Sequence, residues 1–150
     1  MPSVEVRAPV FLTEDRERVL RALTNVLSLE ASSCLDERVE DERFIIIRCY
    51  AGSLKPLEKL RSLLRSLQIL DAARSYLERG YRDSVVRFYL NKQAAYAGRV
   101  SFCTYEFGES PLGAITVSVY LDECNVEKFL NWLAPRTLQG KPVMEEDSPC

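Results

Sequence analysis

Histidine is absent from this chain. Its absence removes the commonest general base, the commonest zinc ligand and every serine–histidine or cysteine–histidine nucleophile pair. The five cysteines lie far apart and include no Cys-x-x-Cys pair, so neither a zinc site nor a redox motif is indicated. Apolar runs of the roughly 18 residues needed to cross a membrane are also missing. The sequence therefore disfavours metal, nucleophilic and membrane-spanning functions.

The remaining composition is that of an ordinary folded domain. The 150 residues are 47% hydrophobic and 28% charged, which suits one domain with one core. The chain opens with Met1-Pro2-Ser3 and a strand pattern, without the features of a secretory signal, so we expect a cytoplasmic protein. We expect residues 1–143 to form a single α+β domain and residues 144–150 to form an acidic, frayed tail in which Cys150 is an exposed thiol.

The apolar pattern switches between the period of strands and that of helices along the chain. Residues 4–11 alternate as a strand, which Pro9 would place at a sheet edge or at a bulge. A helix over residues 14–27 follows, with Thr13 as its N-cap. The predicted order is β-α-β-β-α-α-β-(short helix)-β-β-α, in which the two middle helices could also be one bent helix. Ser110-Pro111-Leu112-Gly113 matches a type I turn before the clearest strand.

Two short strands near residue 41 are expected to pair as a hairpin. A two-residue Asp41-Glu42 turn would set Cys34 opposite Cys49 and allow a disulfide. A register shifted by one residue instead puts Leu35 and Val39 on the same face as the isoleucines of the second strand. The apolar pattern favours the shifted register, so we expect no disulfide here, although intracellular thermophile proteins do carry such bonds.

Positive charge is concentrated in the middle of the chain. Residues 43–105 hold twelve basic and four acidic residues, a net charge of +8, whereas the whole chain carries −2. The two flanks together therefore carry −10. Such a distribution allows a basic face that the total charge conceals.

A first candidate site is the polar cluster Asn91-Lys92-Gln93, which follows a strand and precedes about one helical turn closed by Gly98. Asn91 could cap that turn, backbone N–H groups could meet a phosphate, and Lys92 and Arg99 would add charge. Alternatively, Asn91 and Gln93 only satisfy backbone groups in a tight crossover, and Lys92 is solvated.

A second candidate is the sheet face that the strand alternation predicts to point away from the apolar residues. Aromatic rings among arginines on such a face are what the stacking of unpaired bases requires. The same face could instead be covered by a second copy of the protein, which would make a homodimer. Its residues are Arg87, Tyr89, Thr116 and Tyr120, which Tyr105 could join.

The middle helices and the residues after them carry a third candidate, a stripe of arginines that could contact phosphates: Arg61, Arg65, Arg74, Arg79 and Arg82. Charged helix surfaces also stabilise heat-adapted proteins without binding a ligand. For catalysis, Asp71, Glu106 and Glu109 could in principle hold a magnesium ion, but they lack ligand spacing.

Several motifs stand in order along the chain: LQILDAAR at 67–74, LNKQAA at 90–95, GRVSF at 98–102, SPLG at 110–113 and WLAPRT at 132–137. Through these, and through its opening VEVRAPVFLTED, the chain resembles an uncharacterised archaeal protein family often labelled predicted RNA-binding protein or exosome subunit. The resemblance extends to about residue 143 and departs from the family's pattern in the cysteines and the tail. It implies a fold similar to that of the ribosomal protein that binds 5S RNA, with helices packed on one face of a mostly antiparallel sheet.

We therefore expect a sequence-tolerant RNA-binding module associated with the ribosome or RNA-processing machinery, with no enzymatic activity, metal or cofactor. The alternatives are a homodimeric scaffold without nucleic acid and a metal-dependent hydrolase. The candidate RNA-binding residues are Asn91, Lys92, Gln93, Arg99, Arg74, Arg82, Arg87, Tyr89 and Tyr120.

Overall fold

The computed structural model describes residues 1–39 and 43–150, whose main feature is a seven-stranded antiparallel sheet. Its strands are β1 (Ser3–Phe11), β2 (Cys34–Arg38), β3 (Phe44–Ala51), β4 (Tyr81–Arg82), β5 (Val85–Asn91), β6 (Phe102–Cys103) and β7 (Ala114–Tyr120). The helices are α1 (Arg16–Val26), α2 (Leu57–Ser66), α3 (Leu70–Arg79), α4 (Lys92–Tyr96) and α5 (Val126–Leu133). A separate small hairpin joins β8 (Thr137–Leu138) to β9 (Lys141–Pro142). The predicted fold class and element order are confirmed.

The first strand lies inside the sheet and not at its edge. The strand order is β2-β3-β1-β7-β5-β4, with β6 also paired to β5. β1 pairs with β3 from Val4 to Phe11 and with β7 only from Ser3 to Arg7. The expectation that Pro9 marks an edge strand is therefore wrong. Pro9 is tolerated because it lies beyond the end of the β7 ladder, where a missing N–H removes no bond to β7.

One hydrophobic core lies between the sheet and the helices. Alternate residues of β1 are buried on that side, and so are alternate residues of β5, as period-2 patterning requires. The helices supply the other half of the core with large, fully buried side chains such as Leu23, Leu60, Leu77 and Phe129. Within the described residues, no helix is both long enough and apolar enough to cross a membrane.

Two helix boundaries differ in detail from the prediction. α1 begins at Arg16, with Asp15 as its N-cap, and not at residue 14 with Thr13 as the cap. The reason is that the Glu14 carboxylate turns back and accepts a hydrogen bond from the backbone N–H of Phe11 at 3.1 Å. The middle helical region is two helices, because Gln68 between α2 and α3 adopts a left-handed φ of 56°.

The hairpin register predicted from the apolar pattern is wrong. β2 pairs with β3 so that Cys34 lies opposite Cys49, and the two form a disulfide with their Cα atoms 4.0 Å apart. Leu35 consequently points away from the core and is 76% exposed. β2 is an edge strand in which only Cys34 is buried, so its apolar residues have little influence on the register. The predicted Asp41-Glu42 turn lies outside the described residues.

The C-terminal tail is attached to the domain, so the prediction of a frayed end with an exposed thiol is also wrong. Cys150 forms a disulfide with Cys124, which precedes α5. The Glu145 carboxylate contacts Arg65 of α2, and the Glu146 N–H donates to the carbonyl of Asn131. Hydrophobic periodicity reports local structure and carries no signal for contacts of this kind.

Gly80 ends α3 where the chain approaches β5 very closely. Its carbonyl accepts a hydrogen bond from the N–H of Arg87 at 2.9 Å, and a Cβ atom on Gly80 would overlap the carbonyl oxygen of Arg87.

We expect Gly80→Ala to lower the free energy of unfolding by about 2–3 kcal/mol, because either the helix or the strand must shift. Gly52→Ala, at a glycine with open space around it, should change stability by less than about 0.5 kcal/mol. Urea unfolding measures both, and equal stabilities would contradict the close approach.

Candidate nucleic-acid interface

The sheet face opposite the helices carries the side chains that the strand alternation assigns to it. Arg87 and Tyr89 of β5 lie beside Ser118 and Thr116 of β7 and point away from the core. Tyr120 is half-buried at the end of β7. Their neighbours in β5 are buried beneath the helices: Val86, Phe88 and Leu90. We call this surface the open face. Its centre on β7 is nevertheless covered, because Thr116 and Ser118 are only 1% and 4% exposed, whereas Arg87 on β5 is exposed.

Two arginines of the open face are already held by carboxylates. Arg48 Nη1 donates to Glu5 at 2.6 Å and Arg48 Nε donates to Glu37 at 2.9 Å. Arg7 Nη2 donates to Glu106 at 2.6 Å. Arg48 and Arg7 are about two-thirds buried, so breaking these pairs to reach a phosphate would leave partly desolvated charges without a partner. The part of the open face formed by β1 and β3 is therefore charge-compensated.

The arginines of the middle helices do not form one stripe either. Arg74 is only 3% exposed and donates to the Glu127 carboxylate at 3.0 Å. Arg61 and Arg65 turn toward α5 and the tail, where both contact Glu145. These carboxylates come from the acidic flank after residue 105, so the positive charge of the middle segment is neutralised across the fold.

The polar cluster after β5 is largely structural. Asn91 caps α4, because its Oδ1 accepts a hydrogen bond from the N–H of Ala94 at 2.9 Å. Lys92 is 5% exposed, and its Nζ donates to the Pro9 carbonyl at 2.7 Å and to Glu14 Oε1 at 2.8 Å. Burial lowers the pKa of Lys92, and the hydrogen bond and charge of Glu14 oppose that shift. Lys92 is therefore neither solvated, as in the alternative interpretation, nor exposed to a phosphate, as in the RNA-binding prediction: it connects α4 to the end of β1.

A cleft with a different character opens between the C-terminal end of α3, the β4–β5 hairpin and β6. Its volume is about 350 Å³, and among the residues that the structure describes its charged lining consists of arginines. Two tyrosines lie beside them, together with Thr104 and the thiol of Cys103. We define the basic cleft by five of its lining residues: Tyr76, Arg79, Arg82, Arg87 and Tyr89.

Aromatic stacking holds Arg79 in the basic cleft. The Arg79 guanidinium lies 4.4 Å from the centroid of the Tyr76 ring, and its Nε donates weakly to the Ser75 carbonyl at 3.4 Å. The Tyr76 ring also stacks on Phe102, with centroids 5.2 Å apart and planes 12° from parallel. Cation–π contact and ring stacking each favour this layered arrangement. Because Arg79 is exposed, its outer surface remains accessible to a ligand.

The other two arginines of the basic cleft differ in how firmly they are held. Arg87 Nε donates to Ser118 Oγ at 2.9 Å, which orients the guanidinium along the open face. Arg82 sits on β4, just before a tight turn in which Asp83 and Ser84 have positive φ angles. The Asp83 carboxylate is 3.9 Å from Arg82, but both side chains are more than nine-tenths exposed, so this pair is weak.

The basic cleft thus brings together three of the predicted RNA-binding residues, Arg82, Arg87 and Tyr89. The exposed Gln93 and Arg99 lie on or just after α4 instead, and they do not line the cleft. Tyr76, which is not among the residues predicted from the sequence to bind RNA, also lines the cleft. One sequence signal could have identified Tyr76: it lies one helical turn before Arg79, and Arg79 directly precedes Gly80 at the end of α3.

The three carboxylates considered for a metal make separate contacts. Asp71 accepts hydrogen bonds from Thr137, Glu106 pairs with Arg7, and Glu109 accepts from the N–H of Thr104. Across residues 1–39 and 43–150, no group of three or more acidic or cysteine side chains is arranged to hold a metal ion. The structure therefore does not bring a magnesium site together from these residues.

Fold and site together define a class of protein: a small α+β domain with an open antiparallel sheet face and a basic, aromatic cleft near one sheet edge. The family model described as RNA binding matches residues 3–121. A UPF0201 protein of Methanopyrus kandleri is 43% identical over 143 residues, which cover 93% of this chain and 89% of that protein. One from Pyrobaculum aerophilum is 47% identical over 148 residues, covering 97% and 98%.

A solved structure is similar to this chain in both fold and sequence. The crystal structure of a UPF0201 protein from Methanococcus jannaschii matches with a TM-score of 0.77 and 36% identity, covering 94% of this chain and 98% of that one. The chain therefore belongs to the UPF0201 family. The resemblance to an archaeal family that carries an RNA-binding label is confirmed.

The burial of Lys92 yields a stability prediction. We expect Lys92→Met to lower the free energy of unfolding by about 3 kcal/mol, because it leaves the Glu14 carboxylate and the Pro9 carbonyl without their partner. The matched control, Lys55→Met, alters an exposed lysine and should change stability by less than about 0.5 kcal/mol. Urea unfolding at pH 7 compares the two, and equal stabilities would contradict the structural role of Lys92.

Proposed function

We propose that this protein binds RNA at the basic cleft without strict sequence preference, as an accessory to ribosome or RNA-processing machinery. The observation that carries the proposal is the gathering of three arginines and two tyrosines in one accessible cleft. The description RNA binding that the family model bears supports it. All five residues of the basic cleft lie within the matched range 3–121.

Arg79 would serve as the platform for a base. Proteins that bind single-stranded RNA stack unpaired bases on aromatic rings or on the planes of arginine guanidinium groups. Tyr76, which is itself stacked on Phe102, already contacts the Arg79 guanidinium, so less side-chain entropy is lost when a base stacks on Arg79. Every base has a flat face, which makes such a contact tolerant of sequence.

Arg82 and Arg87 would contact the phosphates that flank the stacked base. Arg87 is oriented by Ser118, whereas Arg82 is free to follow the backbone because it is almost fully exposed. Guanidinium groups bind phosphate oxygens through two parallel hydrogen bonds. The proposed role is binding and not catalysis. The similarity of the fold to that of the ribosomal protein that binds 5S RNA stays a prediction.

The salt dependence of binding tests this function. Two phosphate contacts on a single strand, made by Arg82 and Arg87, predict a slope of about −1.4 in a plot of log affinity against log salt concentration. Arg82→Gln should weaken binding of a single-stranded RNA oligonucleotide and reduce that slope by roughly 0.7, because one phosphate contact is lost. Fluorescence anisotropy at several salt concentrations provides the measurement.

The matched control is Arg21→Gln, which alters an exposed arginine on α1 in the helical layer. It should leave both the affinity and the slope unchanged. Equal weakening by Arg21→Gln and Arg82→Gln would show that binding is diffuse and does not use the basic cleft. No signal from the unaltered protein with micromolar RNA at low salt would reject the function.

A second candidate function, a homodimeric scaffold, is favoured by one observation on the open face. Leu35 and Tyr50 lie on the same side of β2 and β3 and are 76% and 60% exposed. Large apolar side chains on an uncovered sheet face are typical of surfaces that bind a partner. The partner we propose is a second copy of this chain.

We expect light scattering to give the mass of a dimer at micromolar concentration if this second candidate is correct. Leu35→Asp should then produce a monomer, because it places a charge in the apolar contact. Leu12→Asp alters an exposed leucine between β1 and α1 and should leave the dimer intact. A monomeric unaltered protein would remove this candidate.

A further inference from the structure

The acidic tail, residues 144–150, covers a pair of arginines on α2. Arg61 and Arg65 are one helical turn apart, and both donate to the carbonyl oxygen of Trp132, from Arg61 Nε at 2.8 Å and from Arg65 Nη2 at 3.0 Å. Two guanidinium groups thus converge on one point at the end of α5. Burial and, to a smaller extent, the neighbouring charge of Arg65 lower the pKa of Arg61, and the charges of Glu145 and Asp147 oppose that shift.

A single carboxylate from the tail occupies the space between these arginines. Glu145 Oε1 accepts from Arg65 Nε at 2.8 Å and from Arg61 Nη2 at 3.4 Å. Asp147 adds a favourable charge to Arg61 without an ion pair of its own. Oxygen atoms that accept from two arginines at once are the pattern by which proteins bind phosphate. The Glu145 carboxylate therefore stands where a phosphate oxygen would bind.

Space for a larger anion lies next to this carboxylate. A cavity of about 640 Å³ is lined by Arg65 and Glu145 together with residues from the turn between α2 and α3, from the start of α3 and from the β8–β9 hairpin. One of these residues is Asp71, whose carboxylate already accepts hydrogen bonds from the N–H and the hydroxyl of Thr137. A phosphate group has more oxygen acceptors than a carboxylate and, at neutral pH, a second negative charge. It would compensate both guanidinium charges, whereas Glu145 compensates one.

The disulfide between Cys124 and Cys150 keeps the tail over the arginines. It anchors the end of the tail to the segment before α5, so Glu145 stays close to its partners. Tethering of this kind gives an intramolecular ligand an effective concentration in the millimolar range, which a free anion must exceed to compete. Cys150 is exposed, so a thiol reagent can reach the bond.

We propose that Arg61 and Arg65 form a phosphate-binding site, that the acidic tail occupies it in place of the ligand, and that the Cys124–Cys150 disulfide keeps it closed. A dithiol reductant opens the site by thiol–disulfide exchange. One of its thiolates attacks the bond and forms a mixed disulfide, and its second thiolate closes the reductant's own disulfide. Two electrons and two protons pass to Cys124 and Cys150, which become thiols. This site is independent of the basic cleft.

Calorimetric titration with inorganic phosphate tests the proposal on the full chain. We expect Cys150→Ser, or the unaltered protein treated with dithiothreitol, to bind phosphate at least about ten-fold more tightly than the oxidised protein, because the tethered competitor is released. Glu145→Gln should give a similar gain with the disulfide intact. The matched control is Cys34→Ser, which breaks the other disulfide and should bind phosphate as weakly as the oxidised protein.

The binding position is checked in the Cys150→Ser protein. Adding Arg65→Gln to Cys150→Ser should abolish the increase in phosphate affinity. If that variant unfolds because α5 loses a partner for its last carbonyls, NMR replaces it: the side-chain Nε–H resonances of Arg61 and Arg65 should shift on addition of phosphate to Cys150→Ser. Equal phosphate binding by oxidised and Cys150→Ser proteins, or unshifted arginine resonances, would overturn the proposal.

A parallel titration with a single-stranded RNA oligonucleotide identifies the source of the phosphate. If Cys150→Ser binds both inorganic phosphate and RNA more tightly than the oxidised protein, the site is assigned to the phosphates of a nucleic-acid chain. If only the affinity for inorganic phosphate increases, the site is assigned to the free ion. Either result supports the site. Adding Arg82→Gln to Cys150→Ser should leave the phosphate gain intact, which separates this proposal from the function proposed for the basic cleft.

Discussion

The pairing of β1 on both sides is the constraint on which the rest of the structure depends. It joins the β2–β3 hairpin, formed early in the chain, to β5 and β7 of the later half. Val4, Val6 and Ala8 become fully buried on one face of the strand, so the helices must cover that face. The other face of the strand carries Glu5 and Arg7, which pair with Arg48 and Glu106. The far edge of the sheet is formed by the short strands β4 and β6, and the basic cleft lies beside them.

Charge pairing across the fold decides which cations can meet a ligand. The acidic flanks of the chain fold back onto its basic middle segment: Glu14 reaches Lys92, Glu127 reaches Arg74 and Glu145 reaches Arg61 and Arg65. The Lys92–Glu14 pair is buried, so it is costly to separate because each partner would remain desolvated. The basic cleft lies where these acidic segments do not line the surface, and its arginines therefore keep their charge accessible.

The protein thus presents positive charge in two states. In the basic cleft, Arg79, Arg82 and Arg87 are accessible, and a stack of aromatic rings orients the first of them. Under the tail, Arg61 and Arg65 are occupied by a carboxylate of the same chain. The two sites differ because a disulfide holds the acidic tail, and with it the Glu145 carboxylate, next to Arg61 and Arg65. Cysteines that were expected from the sequence to be unbonded therefore determine the position of the tail and of β2.

Local pattern was sufficient for much of the fold. The alternation in β5 and β7 and the leucine stripe of α2 identified the elements, their order and the two faces of the sheet, because period 2 and period 3.6 are properties of short segments. The Asn91 cap and the turn that ends at Gly113 were also predictable, since each is made within four residues. The basic middle segment was also predictable, because the distribution of charge along the chain can be read from the sequence.

What only the tertiary structure decided is which residues meet across long stretches of chain. The register of β2 follows from Cys34 and not from Leu35, and Lys92 reaches Glu14 at a separation of 78 residues. Arg65 and Glu145 are 80 residues apart in sequence. The amino-acid sequence by itself therefore determined the elements and the amount of charge, because these depend on neighbours. Packing decided which charges stay accessible, because an ion pair depends on the final position of both partners.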